Sequence, residues 1–227
     1  MNDWWQNKYN ENPSFLKTFK KWENGRDKFN IYKIINEKLK CKDILNVGCG
    51  TGLDYLNYKK YLMTNNINWF GVEYSNFMVI EGEKKNIPIK QGNIYELDLV
   101  INKKYDCVLA IYIFEHLDDF KLAFNNLLKV SNKYVLIAFF KIPLEENNVI
   151  TVNKHINNKD IKIKESMSGK KFITENPGFR NGFTKNCFYN IHNKNYIEDI
   201  LQKNKLKFNW LKIKENELDT ILLVIEI

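Results

Sequence analysis

Arginine is nearly missing from this sequence: of 35 basic residues, all but Arg26 and Arg180 are lysine. Where lysine is the default cation, an arginine stands out for its planar fork, which grips carboxylate or phosphate in a bidentate manner. The chain has only 4 prolines, 3 histidines and 4 cysteines. Cys41, Cys49, Cys107 and Cys187 form no C-x-x-C pair, which argues against a zinc site or a disulfide framework and for reduced, buried thiols. No apolar run approaches the ~20 residues of a membrane span. The opening "MNDWWQNKYNENPSF" lacks the basic-then-apolar order of a secretion signal, so a cytoplasmic location is expected. The net charge is +8, but no dense basic block carries it. Lysine and asparagine are spread along the chain, which disfavours a charge-driven nucleic-acid binder and suits a small acidic substrate.

What is present is a pattern of short apolar runs alternating with amphipathic ones. The 227 residues, 44% of them hydrophobic, suit one α/β domain. Within residues 1–227 four parts are expected: an N-terminal helical cap (1–40), a ligand-binding core (41–140), a substrate-side insertion (141–192), and a C-terminal helix with a strand hairpin (193–227). The cap should break near Pro13 and Gly25, with Phe29, Tyr32, Ile35 and Leu39 on one helical face. Strands are predicted at 43–47, 67–75, 87–93, 105–113 and 133–140. Helices are predicted at 53–63, 76–86 and 116–131, with Ser75 as a cap. This order predicts a doubly wound, mostly parallel seven-stranded sheet with helices on both faces. The tail, a helix at 196–206 and strands at 207–214 and 218–227, makes one edge an antiparallel hairpin. The insertion reads as loops with a short hairpin.

The first strand runs into "ILNVGCGTG", residues 44–52, with Gly48, Gly50 and Gly52 at alternating positions. A triphosphate-binding loop needs G-x-x-x-x-G-K-[ST], and no lysine follows here. A dinucleotide fingerprint needs a glycine where this chain has Leu53. Leu53 weakens the dinucleotide reading without excluding it, and a cofactor without a pyrophosphate is the other tenant left open.

This stretch resembles motif I of the class I S-adenosylmethionine-dependent methyltransferases, and the resemblance extends over residues 43–140. It implies a methyltransferase that uses S-adenosyl-L-methionine and releases S-adenosyl-L-homocysteine. Gly48, Cys49, Gly50 and Gly52 would lie against the methionine part of the cofactor. Glu73, closing "FGVE", would take the ribose hydroxyls, and Tyr74 would pack on adenine. In "QGNIYEL", Asn93 would meet the adenine amino group, with Ile94 beside the ring. In "YDCVLAIYIFEHL", Ala110 and Ile111 would line the cofactor. Asn46 departs from the family, which usually carries an acidic residue there. It keeps the hydrogen-bonding shape but not the charge. Arg26 is a candidate to meet the cofactor carboxylate, and Tyr9, in a segment with Trp4 and Trp5, is a candidate to fold over the cofactor.

Methyl transfer from a sulfonium needs alignment and exclusion of water, and neither a metal nor a covalent intermediate. His116, at the carboxyl end of the fourth strand, is the candidate base. Arg180, His155 and Tyr112 are candidates for the acceptor. The expected acceptor is an oxygen on a small or sugar-linked metabolite, anionic through phosphate or carboxylate, of the kind used in surface-glycan biosynthesis. An RNA or other nucleic-acid methyltransferase and a non-catalytic cofactor-binding protein are the alternatives. The end of the fourth strand, "AIYIFEH", lacks the D/N-P-P-Y motif of amino-group DNA methylation, and no Pro-Cys nucleophile is present.

Overall fold

The computed structural model describes residues 12, 14–24, 27–117, 119–139, 149–156, 159–166, 172–174, 187–189, 194–215 and 218–227. Helix α1 (Phe15–Asn24) is followed by α2 (Phe29–Lys33), which widens into a π-helical turn over Ile34–Lys38. There follow β1 (Asp43–Val47), α3 (Leu53–Thr64), β2 (Asn68–Glu73), α4 (Asn76–Glu83) and β3 (Ile89–Gln91). A 3-10 segment (Ile94–Leu99) leads to β4 (Tyr105–Ile111), and a 3-10 turn (Phe114–His116) to α5 (Phe120–Lys129) and β5 (Ser131–Phe139). After the insertion come α6 (Lys194–Lys203), β10 (Lys207–Glu215) and β11 (Leu218–Glu226).

Seven strands form one sheet in the order β10-β11-β5-β4-β1-β2-β3. β3, β2, β1, β4 and β5 are parallel. β11 inserts antiparallel between β5 and β10. The expected mostly parallel sheet with an antiparallel terminal hairpin is therefore what forms.

Period-two alternation sorts the strand residues onto two apolar layers. Leu45, Val47, Val108 and Ala110 face α5 and α6, where Phe124, Leu127 and Ile197 are fully buried. Ile44, Cys107, Leu109 and Leu136 face α2 and α3, where Tyr32, Ile35 and Leu62 are buried. Helices thus cover both faces. Cys41, Cys49 and Cys107 are buried and stand outside any disulfide among the described residues.

Two boundaries differ from the sequence expectation. The helix expected over 116–131 starts only at Phe120. Leu117 is extended (φ −94°, ψ 145°), and Asp119 caps the new helix by accepting the Leu122 amide at 2.9 Å. Ser75 occupies the position before α4, yet its hydroxyl makes no capping bond. The insertion holds two antiparallel pairs: β6 (Val149–Ile156) with β7 (Lys159–Ser166), and β8 (Phe172–Thr174) with β9 (Cys187–Tyr189). β9 lies against the 3-10 turn after β4.

Candidate cofactor-binding site

The chain reverses its direction of travel across the sheet between β1 and β4, since β2 and β3 add on one side of β1 and β4 on the other. The crevice beyond the carboxyl ends of two such strands is where open α/β sheets bind ligands. The glycine loop leaves β1 at this point, and residues 112–116 leave β4 beside it.

Gly48, Gly50 and Gly52 all have left-handed φ, at 70°, 60° and 71°. At Gly48 the lack of a side chain is also needed for packing, because a Cβ would lie 2.5 Å from Cγ2 of Ile113. At Gly52, Cγ2 of Ile87 would lie 2.7 Å from a Cβ. The loop is thus gripped from β4 on one side and from the β3 side on the other. The Gly48 amide donates to the Val72 carbonyl at 2.7 Å, which ties the loop to β2 as well.

Glu73 ends β2 and is 9% exposed. Its Oε2 accepts the Gly50 amide and its Oε1 accepts the Ser75 amide, each at 2.9 Å. Burial pushes its pKa up to about 6, against the lowering effect of these amides. Each oxygen of an ionised carboxylate has a further lone pair to offer. Glu73 can therefore brace the loop and still accept donors from a ligand.

Tyr74 and Asn93 lie together around an open cavity of about 290 Å³, with Gln91, Glu96 and Val100. Asn93 Oδ1 accepts the Tyr95 amide at 3.0 Å and so caps the 3-10 segment, with its N–H2 and a second Oδ1 lone pair still available for further hydrogen bonds. Ile94 is buried beside it.

Ala110 and Ile111 are packed within the two sheet layers. The residue that reaches the loop from β4 is Ile113. Tyr112 has φ 58°, a conformation that costs a non-glycine residue ~1–3 kcal/mol and that clusters at functional sites. Its amide donates to the Ala138 carbonyl at 2.9 Å, and its hydroxyl is hydrogen-bonded to that of the buried Thr220. His116 is half-buried on the following turn, with its amide donating to Ile113.

Several polar side chains near the loop, Lys28, Asp54, Tyr58, Tyr32 and Trp69 among them, were not legible as site residues. Lys28 pairs with Asp54 in the first turn of α3 at 3.0 Å, with side chains 12% and 7% exposed. The Lys28 amide donates to the Tyr58 hydroxyl at 2.9 Å, and that hydroxyl donates to Asp27, also at 2.9 Å. Beneath the loop, Asn46 is 1% exposed, and its amide lies 3.4 Å from the Tyr32 hydroxyl. Tyr32 in turn accepts the Trp69 indole N–H at 3.1 Å. One pole of Asn46 and the Ser75 hydroxyl are buried with no hydrogen-bond partner. Unpaired buried polar atoms are costly, and a polar ligand is one way of satisfying them.

Trp4, Trp5, Tyr9, Arg26, Arg180 and His192 lie outside the described residues, as do the side chains of His155 in β6 and Cys187 in β9.

The comparisons with known proteins agree with this geometry. Residues 44–133 match a family model described as a methyltransferase domain. A search of curated proteins finds no match. Among solved structures, an S-adenosylmethionine-dependent methyltransferase from Clostridium acetobutylicum is similar at 18% identity and TM-score 0.57, covering 98% of both chains. Streptomyces venezuelae DesVI is similar at 14% identity and TM-score 0.55, over 86% of this chain and 88% of its own. CalS10, an amino pentose methyltransferase from Micromonospora echinaspora, is similar at 10% identity and TM-score 0.55, over 85% and 86%. Residues 44–133 thus match a methyltransferase-domain model, and the chain shares the fold of solved S-adenosylmethionine-dependent methyltransferases, in line with the resemblance carried by "ILNVGCGTG".

Proposed function

We propose that this protein binds S-adenosyl-L-methionine at the β1–β4 crevice and transfers its methyl group to a small-molecule or sugar-linked acceptor, releasing S-adenosyl-L-homocysteine. The observation that carries this reading is the brace between Glu73 and Gly50, which places a buried acceptor beside a left-handed glycine loop. The residues present fit the cofactor. The loop leaves its backbone open to a close approach, Glu73 accepts from a vicinal diol, and Tyr74, Asn93 and Ile94 suit a flat heterocycle. Two unpartnered buried polar atoms belong to Asn46, two residues before Gly48, and to Ser75, two residues after Glu73.

The cofactor supplies a methyl group on a sulfonium sulfur. The protein's own part is to hold it, align the acceptor and exclude water. His116 stands after β4, where the acceptor would approach, and serves as the base if the acceptor is a hydroxyl. β9 lies against that turn, which supports a role for the insertion in forming the acceptor wall. Tyr112, and from the insertion Arg180 and His155, are the proposed acceptor contacts. An anionic acceptor fits Arg180 and the basic surface, and an oxygen on a surface-glycan precursor remains the preferred acceptor. The shared fold of CalS10, an amino pentose methyltransferase, supports a sugar-sized acceptor.

Calorimetry with S-adenosylmethionine and S-adenosylhomocysteine is the first test, and absence of binding at millimolar ligand overturns the proposal. Transfer of labelled methyl is then compared between nucleotide sugars and total RNA. Labelling of RNA alone would favour the nucleic-acid reading. Binding without transfer to any acceptor class would favour a non-catalytic binder.

A further inference from the structure

The amide of Asn46 sits two residues ahead of Gly48, buried, with one pole on the Tyr32 hydroxyl and the other without a partner. Which pole is which follows from counting protons. Trp69 Nε1 can only donate, and it donates to the Tyr32 oxygen. If the Asn46 N–H2 also pointed at that oxygen, two donors would converge on it. The phenol's own proton would then be stranded in a core where Tyr32 is 0% exposed. With the amide turned over, every proton has a place: Trp69 N–H to Tyr32 oxygen, Tyr32 O–H to Asn46 Oδ1. The pole left unpartnered beneath the loop is then the N–H2, a donor.

The surroundings agree with a neutral donor at this position. Asp54 and Glu73 are already buried carboxylates near the loop, and Lys28 is engaged with Asp54. A third carboxylate at position 46 would add a buried negative charge among them.

On the reading that the crevice binds S-adenosylmethionine, we propose that Asn46, oriented through Trp69 and Tyr32, donates to the carboxylate of the cofactor's methionine moiety. The site would then recognise that moiety by its carboxylate, whereas an acidic side chain here would recognise its ammonium. Tyr32 and Trp69 are positioning residues in this arrangement.

The test is calorimetric binding of three ligands to the full chain: S-adenosylhomocysteine, its deamino analogue and its decarboxylated analogue. In the wild type, removing the carboxylate is expected to weaken binding about tenfold or more, and removing the amine only a few-fold. Asn46→Asp should reverse this ranking. Tyr32→Phe, which removes the proton that fixes the amide, should bring the two losses towards equality, and it serves if Asn46→Asp does not fold. The inference is overturned if the deamino analogue is the weaker ligand of the wild type. It is overturned equally if either folded variant keeps the wild-type ranking and ratio. If S-adenosylhomocysteine itself does not bind, the cofactor reading fails rather than the polarity of Asn46.

Discussion

The carboxylate of Glu73 holds the backbone of Gly50 at 2.9 Å across the gap between β2 and the loop that follows β1. Its other oxygen holds Ser75 at the same distance, so one side chain fixes both rims of the crevice. Glu73→Gln places an amide N–H2 against a backbone N–H donor and removes the charge that a diol's hydroxyls favour. S-adenosylhomocysteine binding should weaken about 10- to 100-fold, read by calorimetry at pH 7.5.

The same residue predicts a pH dependence with a definite sign. Burial raises its pKa from 4.5 to about 6 in the folded protein. The folded state therefore holds this proton more tightly than the unfolded one. The stability that this contributes is fully present below pH 4.5 and is lost as pH rises through about 6, an effect of ~2 kcal/mol. Urea titrations between pH 4.5 and 7 should show the trend in the wild type and a flatter curve in Glu73→Gln. Ligand binding runs the other way. A diol needs the ionised carboxylate, so affinity should fall as pH drops below about 6, and an unchanged Kd between pH 7 and 5 would remove Glu73 from the diol site.

Gly48→Ala tests the grip of Ile113 on the loop. The new methyl lies 2.5 Å from Ile113 Cγ2, and φ is 70°. The two effects together should lower stability by ~1–3 kcal/mol, seen as a reduced thermal midpoint. Ile113→Ala in the Gly48→Ala background should recover the steric part only. Full recovery in the double variant would show that the left-handed backbone costs alanine nothing here.

Lys28 and Asp54 form a largely buried pair joining the segment before α2 to the first turn of α3. Lys28→Met strands the Asp54 carboxylate and should destabilise by ~1–3 kcal/mol, while Lys28→Met/Asp54→Leu should recover part of the loss. Equal urea midpoints for the two variants would mean that Asp54 is well solvated without its partner.

Much of the fold was legible because its signals are local. The apolar runs of β1 and β4 read as strands covered on both faces, and the alternating glycines marked the turn between β1 and α3. What failed locally was decided by competition for the backbone. Asp119 captured the Leu122 amide and restarted a helix that periodicity alone would begin earlier. Ser75 was left without its capping bond although it stands in the capping position, and Glu73 took the Ser75 amide.

By itself the sequence determined the layer order, the glycine loop and the acidic residue at the end of β2, since each follows from residue type and spacing along one stretch of chain. Only the tertiary structure decided that Ile113 closes on Gly48, that Lys28 meets Asp54, and that Tyr32 and Trp69 stand behind Asn46. These residues lie 14 to 65 positions from their partners, and nothing in their local patterns distinguishes them from core or surface residues. Parallel pairing of β1 with β2 and β4, and the packing of α2 against that face, bring them together. The polarity of the Asn46 amide is therefore a property of three elements at once, because a buried proton must find its acceptor wherever the fold has put one.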